Sequence, residues 1–92
     1  MNEKLILLTD FIRSADVELE FIDLLEEEGL IQTIEREHLK YIYTEQLNDL
    51  EVFTHLHYDL SINIEGIDVI HNLLLRMREM EAELKLLRSG GS

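Results

Sequence analysis

No cysteine and no proline occur in this 92-residue chain, and cations are scarce, with 8 Lys and Arg against 20 Asp and Glu. Without cysteine, neither a disulfide nor a thiolate–zinc scaffold can form. No apolar run approaches the roughly 18–20 residues that span a bilayer. The first residues lack the basic start and apolar core of a secretory leader. The expectation is a soluble, cytoplasmic protein with no membrane partner. There is no low-complexity linker and no internal repeat. The only Gly/Ser-rich stretch, Ser89 to Ser92, reads as a disordered tail.

Apolar residues make up 46% of the chain, which excludes an acidic disordered segment. The length allows one domain. A domain this small buries only about 60–65% of its unfolded surface, so oligomerisation would add to its stability. The charge is uneven. Residues 1–60 carry 15 acidic and 4 basic groups, net −11, whereas residues 61–92 carry 5 and 4, net −1. A field of that sign repels phosphate backbones and anionic lipid and attracts basic partners.

Glu3 to Leu8 read as a short strand. Thr9 is placed to cap a helix over about 10–15 that presents Phe11, Ile12 and Ala15. Asp16 and Val17 form a tight turn. A second helix, about Glu18 to Glu28, carries Phe21, Ile22 and Leu25 on one face. Gly29 stands where a left-handed terminating residue belongs, and Leu30 is the apolar residue that folds back over such an end. Two short helices about a tight turn suggest helix-turn-helix. Ile31 to Ile34 and Lys40 to Tyr43, joined by polar Glu35 to Leu39, read as a β-hairpin wing, although its turn lacks glycine. Thr44 is a good cap for a helix over about 45–58 with Leu47, Leu50, Phe53 and Leu56 or His57 inward. Asp59 to Ile62 break it, and Asn63 caps a last helix of about 64–88. The fold expected is mainly α, with a 1–62 head, a long helix over 63–88 and a tail over 89–92.

The last helix carries two stripes. Ile67, Ile70, Leu74 and Met77 should pack on the head. Leu73, Met77, Met80, Leu84 and Leu87 are spaced 4, 3, 4 and 3, a heptad seam. The seam outruns the head, so a second copy is its simplest cover and a homodimer is expected. The competing arrangement is one amphipathic helix lying along its own domain, since two heptads are short for a coiled coil. Arg76, Arg78, Lys85 and Arg88, with Glu79, Glu81 and Glu83, form a solvated face that can also set the pairing register.

Little points to chemistry. His55 and His57 project about 200° apart on a helix and cannot share a metal from one face, while His38 and His71 are isolated. Plentiful carboxylates make no catalytic site without a partly dry pocket. There is no nucleophile motif and no glycine-rich phosphate loop. No enzyme, cofactor or metal is expected.

In a helix-turn-helix the second helix enters the major groove. Here residues 16–28 contain Asp16, Glu18, Glu20, Asp23, Glu26, Glu27 and Glu28 and no Lys or Arg. DNA affinity depends on cations that displace counterions at phosphates, so this helix is repelled and no nucleic-acid partner is expected. A plain solvated face explains Glu18 and Glu20, which the helix dipole favours. It does not explain Glu26, Glu27 and Glu28 at the opposite end. Glu18, Glu20, Asp23, Glu26 and Glu27 are therefore the candidate patch for a basic partner surface.

The order of elements, Glu28-Gly29-Leu30-Ile31 after the second helix, Tyr41 and Tyr43 in the wing, and Asp59-Leu60-Ser61-Ile62-Asn63-Ile64-Glu65-Gly66-Ile67-Asp68-Val69-Ile70 running on through Leu73-Leu74-Leu75-Arg76-Met77 resemble the MerR-type winged helix. Within that superfamily the chain is most similar to the chaperone-modulator family typified by CbpM, over about residues 3–88. The resemblance implies binding to the basic J-domain of a DnaJ-like co-chaperone and inhibition of its work with Hsp70. Relatives often carry a proline after the Gly-Leu-Ile segment, and this chain has none. The alternatives are a DNA-binding MerR-like transcription regulator and a purely structural dimerisation module.

Overall fold

The computed structural model describes residues 4–90. A strand β1 (Leu5–Leu7) leads directly into helix α1 (Leu8–Ala15), followed by α2 (Leu19–Glu27), β2 (Thr33–Arg36), β3 (Leu39–Tyr43), α3 (Leu47–Thr54) and α4 (Ile64–Gly90). The strands form one antiparallel sheet in the order β1-β3-β2. Ile42, central and fully buried, faces Ile6 on one side and Thr33 on the other. This is the expected winged helix-turn-helix with a long C-terminal helix, and its wing is widened by the first strand.

The abrupt join of β1 to α1 removes the cap expected at Thr9. Leu7 pairs with Tyr41 and also serves as the extended residue before the helix, with no side-chain cap. Thr9 lies inside the first turn of α1. Thr44 is likewise no cap. Its amide donates to the Lys4 carbonyl at 3.0 Å, extending the β1–β3 ladder, and it opens a 3-10 turn over Thr44–Gln46. Gln46 then acts as a surrogate strand for Gln32: its side-chain oxygen accepts from the Gln32 amide and its Nε2 donates to the Gln32 carbonyl, both at 2.8 Å.

Both helices of the helix-turn-helix end in the same way. Asp16 (φ 55°) closes α1, and the Val17 amide reaches back to the Ile12 carbonyl at 3.2 Å. Gly29 (φ 77°) closes α2; its amide donates to Glu26 at 3.0 Å, and the Leu30 amide to Leu25 at 2.9 Å. This pairing satisfies carbonyls a helix end would otherwise leave open, and Val17 and Leu30 fold inward as the apolar followers.

Among the described residues, twelve apolar side chains form the core: Leu8, Phe11, Val17, Phe21, Ile22, Leu25, Ile31, Ile42, Leu50, Phe53, Ile64 and Ile67. No polar or charged side chain among the described residues is buried. α3 is shorter than its apolar spacing suggests, because His55–Asp59 widen into a π turn. Asn63 caps α4 as expected, its Oδ1 accepting from the Gly66 amide at 2.8 Å. Ile62, just before the cap, packs against the core cluster to which Ile67 belongs, and an apolar residue anchored there helps fix the chain's angle of entry into the helix.

Along α4 the packing stops early. Ile64 and Ile67 are buried and Ile70 and Leu74 half-buried, but every described residue from Leu75 onward is exposed. Met77, expected on the packing stripe, is 54% exposed, because the head reaches only the first three turns. α4 also continues through Ser89 and Gly90, expected in the tail. Residues 91 and 92 of that tail, and Glu3 of the first strand, lie outside the described residues.

Candidate functional site

The outward face of α2 is built by its periodicity. Phe21, Ile22 and Leu25 hold one side of the helix in the core. At about 100° per residue, Asp23, Glu27 and Glu20 then fall within about 60° of arc on the opposite side. All three are exposed. On either side of this acidic stripe stand two leucines the apolar spacing alone does not single out, Leu19 and Leu24, 51% and 45% exposed. The face is thus an anionic strip between two apolar flanks. No Lys or Arg occurs anywhere between Arg13 and Arg36 to offset it.

The five expected patch residues do not act as one set. Glu20, Asp23 and Glu27 share the outward face. Glu18 precedes the helix as an exposed, extended residue that makes no side-chain cap. Glu26 turns aside: it is half-buried, and its Oε2 accepts a hydrogen bond from Thr33 Oγ1. That bond ties α2 to β2 and gives Glu26 a structural reason to stand at an electrostatically poor helix end.

The N-terminal end of α2 is held from outside. The Glu18 amide donates to the Tyr58 hydroxyl at 3.0 Å. Tyr58 sits on the π turn, edge-on to Phe21 at 5.2 Å between ring centroids, while His57 stacks on the same Phe21 ring at 4.7 Å. A 2.9 Å contact from His57 Nδ1 to the Ile62 carbonyl fixes that imidazole. The three rings together lock α2 to the α3–α4 junction and set the angle at which its acidic face is presented. Sequence spacing missed this because a regular helix over 45–58 would turn Tyr58 away. The π turn brings His57 and Tyr58 to Phe21.

His55 lies 2.6 Å from Asp59 across the same turn, both exposed. His71 packs edge-on against Phe53 at 5.2 Å. Among the described residues no group of three or more His, Asp or Glu side chains is placed to hold a metal ion. No helix of the described residues is long and apolar enough to cross a membrane.

The proposed seam residues Leu73, Met77, Met80, Leu84 and Leu87 are exposed by 52, 54, 59, 50 and 72%. The head covers none of them. Leu75 and Leu86 are exposed beside them, at 39 and 73%.

These features define a winged helix-turn-helix domain whose would-be groove-reading helix is anionic. The family model for MerR HTH family regulatory proteins matches residues 6–89, nearly the whole chain, and the chain belongs to that family. No curated protein and no solved structure matches it.

Proposed function

We propose that the chain is a non-enzymatic, protein-binding member of the MerR family that docks the basic J-domain of a DnaJ-like co-chaperone and restrains its cooperation with Hsp70. The observation that carries this reading is the face of α2. In a DNA-binding relative that face would need cations for phosphates. Here it offers Glu20, Asp23 and Glu27 between exposed Leu19 and Leu24. A strip of charge of one sign flanked by exposed leucines suits a protein surface of the opposite sign that also offers apolar contacts. The resemblance of the Asn63 to Ile67 segment and its surroundings to chaperone modulators supplies the J-domain as the particular partner. In this reading two copies pair along Leu73, Met77, Met80, Leu84 and Leu87, and the protein acts in the cytoplasm.

Titration of a DnaJ-like J-domain, followed by calorimetry, tests the proposal. The E20K/D23K/E27K variant should bind at least tenfold more weakly and release the inhibition of J-domain-stimulated Hsp70 ATPase. Unchanged affinity in that variant would remove the patch, and absence of any J-domain binding would remove the reading. The family match itself favours a second reading, a transcription regulator that binds DNA. Tight, sequence-selective duplex binding by the isolated protein in a low-salt gel shift would establish it instead.

A further inference from the structure

On another part of the head, α1 and α3 leave a groove between them. Its deeper end, a cleft of about 460 Å³, is lined by Ile6, Asp10, Phe11, Ala15, Leu47 and Glu51. A second cleft of about 210 Å³ shares Phe11, Ala15 and Glu51 and continues toward Thr54, His55 and Asp59. The floor is apolar. Ile6, Ala15 and Leu47 are only half-buried although each packs against the core. The rim is acidic on both walls, with Asp10 on α1, Glu51 on α3 and Asp59 at the far end. Beside it, Arg13 stands 3.7 Å from Asp10 and is 80% exposed, and the His55 ring lies against Asp59.

We infer that this groove is a docking site for an amphipathic basic helix of a partner protein, whose apolar side chains enter over Ile6, Ala15 and Leu47 while Lys or Arg on both flanks meet Asp10, Glu51 and Asp59. Charge complementarity selects that occupant. Carboxylates on both walls repel an acidic or phosphorylated segment, and the apolar floor gives a purely basic, unstructured tail nothing to bury. The chain's own exposed seam on α4 is a poorer fit, since Glu79, Glu81 and Glu83 stand among its flanking Arg76, Arg78, Lys85 and Arg88 and deny it two uniformly basic flanks. The apolar floor supplies affinity and the two acidic walls orient the helix, the division of labour seen when an amphipathic helix lies in a groove. This inference rests on the chain being a protein-binding module, and not on the α2 face or on the J-domain as partner.

The test uses the full chain and two probes. The first is a synthetic 18-residue helical peptide with leucines on one face and lysines flanking them, alongside its glutamate counterpart. The second is the J-domain. Backbone amide shifts are followed by NMR, and affinities are compared for wild type, the groove variant D10K/E51K and the α2 variant E20K/D23K/E27K. Both groove substitutions are at exposed positions, and circular dichroism checks that the variants are folded. The expected result is that the lysine peptide, and not the glutamate one, shifts amides around Ile6, Ala15, Leu47 and Glu51. D10K/E51K should then weaken it at least tenfold, and the α2 variant less than threefold. Equal binding by D10K/E51K, shifts confined to α2 or α4, or a loss of self-association in D10K/E51K would overturn the groove as a partner site. Peptide binding in the groove without any J-domain binding would sustain the groove and remove the J-domain reading. J-domain binding indifferent to D10K/E51K, with no peptide shifts in the groove, would do the reverse.

Discussion

Two sites, one of them a pair of residues, carry more of this fold than their chemistry suggests. A Cβ added to Gly66 would stand 2.7 Å from Ile62 Cγ2 and 3.1 Å from the Asn63 side-chain oxygen. Ile62 is β-branched and wedged on the core, so it cannot swing away cheaply. Helix propensity alone favours Gly66→Ala by about 1 kcal/mol. The close approach should win, because moving Ile62 also disturbs the cap at Asn63. We expect G66A to lose about 1–2 kcal/mol, within the range of overpacked sites, and to melt roughly 5–10 °C lower. A variant that melts higher would show that Ile62 yields freely. The second site is the wing turn. Glu37 and His38 both have positive φ, 51° and 68°, between the paired residues Arg36 and Leu39. That is the two-residue hairpin turn that favours Asn-Gly. Non-glycine residues there sacrifice roughly 1–2 kcal/mol each. E37N/H38G should therefore raise stability by about 1 kcal/mol or more in a denaturant titration, with an unchanged slope.

At the scale of elements, the parts legible in the sequence were those governed by regular spacing. Phe21, Ile22 and Leu25 announced the buried side of α2, Gly29 its end, and Asn63 the start of α4. What sequence spacing missed arises where two elements share residues. Leu7 both pairs with Tyr41 and starts α1, so Thr9 lost its role as a cap. Thr44 is taken by the Lys4 carbonyl. The wing turn contracted from five residues to two because positive φ at Glu37 and His38 leaves no side-chain signature. The acidic face was visible as composition. Its flanking Leu19 and Leu24, and the diversion of Glu26 to Thr33, needed the fold. Tyr58 was invisible because only the π turn aims it at α2. The long helix gives this scale its own prediction. Seven exposed apolar side chains from Leu73 to Leu87 on one unsupported helix are a large area to leave in water. Sedimentation at tens of micromolar should give a dimer, and L84E a monomer with the head's melting cooperativity intact. A wild-type monomer at high micromolar concentration would leave the seam without a purpose.

The whole molecule is elongated and strongly polarised in charge. Its radius of gyration is 16.1 Å, with extents of 54 × 38 × 21 Å. A compact chain of this length would have a radius of about 12 Å, and the excess is α4 standing clear of the head. The head carries the charge: net −11 lies in residues 1–60, and −1 in the remainder. Exposed charges interact over about 8–10 Å at physiological ionic strength. In the proposed function the acidic head would act mainly by drawing a basic partner in, while apolar contacts at Leu19 and Leu24 would hold it once docked. The two contributions separate in kinetics. Raising salt from 50 to 300 mM should slow association with the J-domain on the order of tenfold, as for steered encounters, and leave dissociation nearly unchanged. Leu24→Ala should do the opposite, speeding dissociation with little effect on association. An association rate indifferent to salt would mean that the charge only keeps the head dispersed, and the acidic face would then have no part in choosing its partner.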